Sequence, residues 1–228
     1  MILKIENLRK SYKKIEVLKG IDLEIKESEI FGILGPNGAG KTTTLKIILG
    51  LTQFDDGKVE VLGSAPQDPK IKEYIGFLPE EFCIPGFLKV KEALNFYSKI
   101  KRADSDLDFF IEEFCLKPIL NKPLGDLSQG QKRLIQIIVS LLGKNKLLIW
   151  DEPTVFLDLP TRKKVLRILE ERFKQTTMII SSHILSEIEK LCDRVCFIKE
   201  GKILKVLTKT ELKEFESLES AFEKIENV

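Results

Sequence analysis

Residues Gly35 to Thr42 read Gly-Pro-Asn-Gly-Ala-Gly-Lys-Thr, set between the apolar run Ile30–Leu34 and the helix-like stretch Lys41–Leu49. A glycine-rich turn of this spacing between a strand and a helix is a polyphosphate-binding loop. Gly35, Gly38 and Gly40 let the backbone wrap closely, its N–H groups turned inward where side chains would collide with phosphate oxygens. A helix opening near Lys41 adds unsatisfied N–H groups and the positive end of its dipole. Lys41 would then reach the β- and γ-phosphates, and the Thr42 hydroxyl would ligate Mg²⁺. Pro36, Asn37, Ala39 and Thr43 complete the stretch expected to line the nucleotide.

Two later runs also end in chemistry. Leu147–Trp150 has the pattern of a buried strand and closes on two carboxylates, Asp151 and Glu152, where a Mg²⁺-binding acid and a catalytic base are expected. Ile179–Ser182 is a second apolar run, and it leads into His183, the single histidine of the chain. Ser128, Gly130 and Gln131 stand just ahead of the helical run Leu134–Ile138, where a serine can cap the helix.

The elements that must hold these residues follow from periodicity. Residues 2–6 and 17–25 alternate apolar with polar (Val17, Ile21, Leu23, Ile25), as half-buried antiparallel strands do. Further strands are expected over 29–34, over 58–62 after the Asp55-Asp56-Gly57 turn, and over 74–78. From 82 to 143 the pattern is helical, with Val90, Ala93, Leu94 and Tyr97, then Leu107, Phe110, Ile111 and Phe114, at i, i+3, i+4, i+7. Six of the fourteen phenylalanines fall between 82 and 114, so this helical stretch is aromatic. After Leu147, strands over 147–151, 177–182, 194–198 and 202–206 alternate with helices over about 160–173 and 184–191. That alternation predicts an α/β fold, a parallel-type sheet covered by helices with functional residues at the strands' carboxyl ends. Thr208-x-x-Glu211 is a capping box opening a last polar helix.

At 228 residues the chain can bury a full core. Its 43% hydrophobic and 32% charged residues are ordinary for a soluble globular protein, and the apolar runs fall far short of the roughly 20 residues a membrane span needs. With no signal-like start, a cytosolic protein is expected. A net charge of +2 from 37 basic and 35 acidic residues leaves no electrostatic footprint for nucleic acid. Cys83, Cys115, Cys192 and Cys196 lack a metal-type pair-plus-pair spacing and read as idle thiols.

In order and spacing, Gly35–Thr42, Leu127–Gln131, Leu147–Glu152, Phe156–Asp158 and Ile179–His183 resemble the nucleotide-binding subunit of ATP-binding cassette (ABC) transporters, from about residue 2 to the C-terminus. Ile30–Leu51, Ile75–Glu81 and Ser181–Val195 are most similar to ABC-2 type exporter ATPases. The resemblance implies one ABC ATPase domain: a P-loop NTPase core with a mixed sheet and an N-terminal antiparallel β subdomain (1–80 and 147–206), a helical signature subdomain (82–143), and a short helical tail (207–228). It implies ATP and Mg²⁺ as ligands, with Tyr12 stacking on adenine beside Val17, and Thr42, Glu80 and Asp151 at the metal. Glu152 would be the general base, with Lys41 and His183 at the γ-phosphate. Ser128, Gly130 and Gln131 would touch the nucleotide of a second cassette, so that two ATP molecules close a dimer and hydrolysis reopens it. Lacking a span of its own, the chain would need an integral membrane permease on a separate chain. It would then sit peripherally on the inner face of the membrane.

Several positions depart from the family's pattern. Glu80 stands where glutamine is usual, and Gln129 replaces a signature glycine. Val155-Phe156 and Leu159 are bulky where small residues and proline are favoured, so Phe156 is expected to pack against a partner copy or a neighbouring strand. The apolar loop Phe82–Leu88 offers a docking groove for a partner helix, or ordinary core. A soluble ABC ATPase of translation or DNA repair would usually carry two cassettes or a long coiled-coil insertion. A regulatory module with little hydrolysis is countered by Lys41, Asp151, Glu152 and His183.

Overall fold

The computed structural model describes residues 1–153, 155–182, 189, 191–215 and 217–226. The chain runs β1 Leu3–Tyr12, β2 Ile15–Ile25, β3 Ile30–Leu34, α1 Lys41–Ile48, β4 Asp56–Val61, α2 Pro69–Lys72, β5 Ile75–Leu78, α3 Val90–Lys101, α4 Asp104–Glu113 and α5 Gln129–Leu141. There follow β6 Leu147–Asp151, α6 Leu159–Arg172, β7 Thr177–Ser181, β8 Arg194–Lys199, β9 Lys202–Thr208 and two tail helices, Lys209–Leu212 and Leu218–Glu226. Contacts group the chain into two compact units, Met1–Lys72 with Gln175–Val228, and Glu73–Lys174.

In the first unit, β2, β1 and β4 form an antiparallel sheet in that order. Leu3, Ile5 and Leu8 are all buried although the step from Ile5 to Leu8 is odd. A register shift between them absorbs the extra residue: Asn7 takes φ 47° and its N–H donates to Asp22 Oδ1 at 2.8 Å. A second sheet holds β7, β3 and β8 in parallel, with β9 antiparallel on β8. The β8–β9 turn, Glu200-Gly201, has φ of 47° and 78°, which matches the right-handed twist of a two-residue hairpin. Gly201 N–H donates to Ala39 O at 3.0 Å and its carbonyl accepts from Lys19 N–H at 2.9 Å, so this turn is pinned to β2 and to the glycine-rich loop.

In the second unit, β5 and β6 pair in parallel. Every residue of β6 is buried, as the continuous apolar run of a strand covered on both faces requires. Gly76 lets α5 lie close to β5: a Cβ there would stand 2.0 Å from Ser140 O. The aromatic character of the helical stretch becomes a core cluster, with Phe110 buried between Phe109 (5.3 Å, edge-on) and Phe114 (6.5 Å, stacked). The Arg172 guanidinium lies 4.0 Å from the Phe109 ring centre.

β1 and β2 are longer than their periodicity suggested. The Thr208 capping box is present, with Glu211 N–H donating to Thr208 Oγ1 and Thr208 N–H to the Glu211 carboxylate. It opens a helix of four residues only, because Ser217 supplies a second cap by accepting from Ser220 N–H at 3.1 Å, and the final helix starts there. The helix expected over 184–191 falls largely outside the described residues. No helix among the described residues is long and apolar enough to cross a membrane.

Cys192 and Cys196 are buried free thiols, whereas Cys83 and Cys115 are exposed. Burial disfavours the thiolate, pushing Cys196 up to about 12 and Cys192 higher still. Because only the thiolate alkylates, maleimide at pH 7–8 is expected to modify two cysteines per native chain and all four in denaturant. Mass spectrometry checks the count.

Candidate functional site

In the first unit, β3 delivers the chain into the glycine-rich loop at Leu34. Gly35 cannot carry a side chain, since a Cβ would lie 2.1 Å from Ile198 O on the neighbouring strand β8. Gly38 and Gly40 take φ of 80° and 106°, which an L residue adopts only under strain. Gly40 is the N-cap of α1 and offers no side-chain cap, so the positive end of that helix is turned to the loop without a built-in acceptor. Lys41 is only 7% exposed, and its ammonium folds back to donate to Gly35 O at 2.6 Å and Pro36 O at 3.2 Å. Thr42 and Thr43 occupy the first turn of α1, and both are half-buried. Val17 borders the loop, its carbonyl 3.3 Å from where a Gly40 Cβ would be. Tyr12 ends β1 exposed, with Lys10 Nζ 5.2 Å from its ring centre.

In the second unit the acids lie at the end of β6. Asp151 and Glu152 are 3% and 6% exposed, and Glu152 takes a left-handed φ of 50°. Beneath them Arg133 of α5, 3% exposed, donates through Nη2 to Asp151 O at 2.7 Å and Glu152 O at 2.5 Å, and through Nε to Pro153 O at 3.2 Å. Its Nη1 turns to the Glu80 loop, reaching Pro79 O at 2.5 Å and, at longer range, Glu80 O at 3.3 Å. Gln136, one turn further on, donates to Glu81 O at 2.8 Å. Burial pulls the guanidinium down to about 10, against the charges of Asp151, Glu80 and Glu152, and it stays cationic at neutral pH. Removing it would deprive five carbonyls of this donor, a loss on the order of 3–5 kcal/mol. Glu80 itself is exposed.

Ser128 caps α5 reciprocally with Gln131: Gln131 N–H donates to Ser128 Oγ at 3.2 Å, and Ser128 N–H donates to Gln131 Oε1 at 3.1 Å. Gly130 is sterically required, because a Cβ there would meet Phe156 O at 2.8 Å. Phe156 has φ 70° and is 65% exposed. His183 lies outside the described residues.

Residues 18–155 match the family model described as ABC transporter. The chain belongs to the ABC transporter family. It is 37% identical over 224 residues to the linearmycin resistance ATP-binding protein LnrL of Bacillus subtilis, covering 92% of this chain and 70% of that protein. It is 38% identical over 214 residues to the lantibiotic transport ATP-binding protein SrtF of Streptococcus pyogenes, covering 89% of each. Among solved structures, the dimeric post-hydrolysis state of the ATP-binding cassette MJ0796 bound to ADP and Pi superposes with a TM-score of 0.81 at 26% identity, covering 91% of this chain and 99% of that one. This chain is thus an ABC ATPase with the mixed α/β cassette fold.

The residues expected at a metal carry hard oxygen donors: Thr42 is half-buried in α1, Asp151 is buried at the end of β6, and Glu80 is exposed. No group of three or more acidic, histidine or cysteine side chains placed to hold a metal ion exists among the described residues. Hydroxyl and carboxylate oxygens are the donor chemistry that suits Mg²⁺, which takes one or two carboxylates plus substrate phosphates and water. Arg133 and Gln136 were missed from the sequence. Their signal was there, since Arg133, Gln136 and Ser140 form a polar stripe at i, i+3, i+7 on a helix whose other residues from Leu134 to Leu141 are apolar, and all three are buried. Gly130→Ala is expected to lower the stability of the isolated chain by about 1–2 kcal/mol, read by urea unfolding, because the Phe156 carbonyl must shift. An unchanged midpoint would show that the loop yields freely.

Proposed function

We propose that this ABC ATPase is the subunit that powers a membrane exporter, through ATP-driven pairing with a second cassette, most simply another copy of itself. The buried Asp151–Glu152 pair at the end of β6 carries the hydrolytic part of this reading. The loop Gly35–Gly40 wraps the phosphates with its N–H groups, and the Lys41 ammonium exchanges its two loop carbonyls for phosphate oxygens. Thr43 lies on the same helical turn, Tyr12 stacks on adenine and Val17 borders it. Thr42, Asp151 and Glu80 would hold Mg²⁺, which when bound would neutralise charge developing on the phosphate oxygens. Glu152 takes the proton of the attacking water, and His183 contacts the γ-phosphate.

Ser128, Gly130 and Gln131, at the N-terminus of α5, reach the nucleotide of the second cassette. The exposed Phe156 ring meets that same partner. Export is supported by the linearmycin resistance and lantibiotic transport relatives, and pairing by the dimeric MJ0796 cassette. The permease is a separate integral membrane protein, and it places this chain at the inner face of the membrane. Its docking surface includes Phe87, 82% exposed, with Phe96 and Ile100 exposed on one face of α3, while Ile84 of the same loop is core.

Gentle solubilisation of membranes from cells expressing the tagged protein tests the partner: a polytopic membrane protein should co-purify in roughly equal amount. Recovery with ribosomes or repair proteins from the soluble fraction would overturn the transport reading. For the chemistry, Glu152→Gln is expected to lower steady-state ATP turnover by at least ~10²-fold. It should also yield an ATP-dependent dimer on size exclusion. Unchanged turnover would remove Glu152 from the base role.

A further inference from the structure

Two short main-chain runs that carry acids, 79–81 and 151–153, point their carbonyls at one face of α5. Arg133 accounts for Pro79, Glu80, Asp151, Glu152 and Pro153, and Gln136 for Glu81. Six carbonyls from two loops are thus bound by two side chains spaced i, i+3 on a single helix. An arginine that merely filled a hole in the core would need no such convergence. The planar fork of the guanidinium presents five N–H groups in fixed directions, which a single lysine ammonium cannot reproduce. These bonds go to main-chain oxygens, so they fix where the acids' backbones stand and consume none of their carboxylate oxygens. Glu152 is in a left-handed conformation that needs support from its surroundings, and its own carbonyl is one of those gripped. The close approach of Gly130 to Phe156 O ties the start of α5 to the same segment a second time.

We infer that Arg133, assisted by Gln136, is a positioning residue that couples the Glu80 loop and the Asp151–Glu152 strand end to the helix opening at Ser128. This rests on the proposed role of Glu152 as base. The helix end that engages a partner's nucleotide and the strand end that activates water then move as one piece. Capture of ATP across the dimer is thereby linked to alignment of the base within the same chain, and the linked element is identified as α5.

The test uses the full chain with Arg133→Lys and, as the milder change, Gln136→Met. Steady-state ATP turnover, the affinity for a fluorescent ATP analogue and the folded fraction by circular dichroism are measured together. Misplacing a catalytic group by an ångström costs up to ~10²-fold, so Arg133→Lys is expected to turn over at least ~10-fold more slowly per folded molecule, and Gln136→Met ~3-fold. Nucleotide affinity measured without Mg²⁺ should stay within ~3-fold for both, because the binding loop around Lys41 makes none of these contacts. Both variants turning over like wild type would overturn the inference. So would turnover and nucleotide affinity falling in proportion, the mark of a merely structural role. If Arg133→Lys does not fold, Gln136→Met decides by the same two criteria. An inactive wild-type protein would overturn the role of Glu152 and the clamp with it, whereas an active wild type with unaffected variants overturns the clamp alone.

Discussion

A charged side chain taken out of water must be met by oriented dipoles, and in the Glu73–Lys174 unit that requirement falls on Arg133. Main-chain carbonyls meet it, donated by the ends of two parallel strands, β5 and β6, where they hand over to loops. The apolar run Leu147–Trp150 makes β6 a fully covered strand, so its carboxyl end is a fixed point. Gly76 allows α5 to approach within reach of that end. The geometry of the acids is therefore a consequence of helix-on-strand packing, transmitted through one guanidinium.

The Met1–Lys72 and Gln175–Val228 unit solves a different problem, which is to fix the glycine-rich loop against its neighbours. Clearance does most of this. Gly35 passes against the Ile198 carbonyl, and Gly201 against the Val17 carbonyl, at distances no Cβ would permit. The β8–β9 turn closes the arrangement by accepting from Lys19 N–H and donating to Ala39 O. A strand hairpin distant in sequence thus braces the phosphate loop, and Lys41 waits with its ammonium held by the loop's own oxygens.

Much of this was legible in the sequence because the informative signals are local. The loop Gly35–Thr42 is named by its spacing, β6 by an unbroken apolar run into Asp151, and the start of α5 by Ser128 and Gln131 at capping positions. Family membership then followed from the order of those stretches. What escaped was non-local or ambiguous. The convergence of 79–81 and 151–153 on Arg133 and Gln136 reaches up to 55 positions along the chain, and periodicity carries no such information. The odd step between Ile5 and Leu8 hides a bulge that only Asn7 and Asp22 explain. The tail break at Ser217 was overlooked because the earlier capping box at Thr208 was strong enough to claim the whole segment.

Phe156 shows how a departure from the family pattern carries physical content. Its left-handed backbone disfavours a bulky residue by about 1–2 kcal/mol, and its ring lies mostly in water. Both features are unfavourable in the isolated chain, and glycine would relieve both. Its carbonyl, however, sits against Gly130, so the backbone turn at 156 is needed to let the start of α5 approach whatever the side chain is. The turn therefore answers to packing within the unit, while the ring is left largely exposed. A second cassette covering that ring would offset its exposure with apolar burial worth roughly 25 cal/mol per Å². A bulky residue so covered would weight the balance toward a paired state, at a cost in conformational strain to the unpaired one.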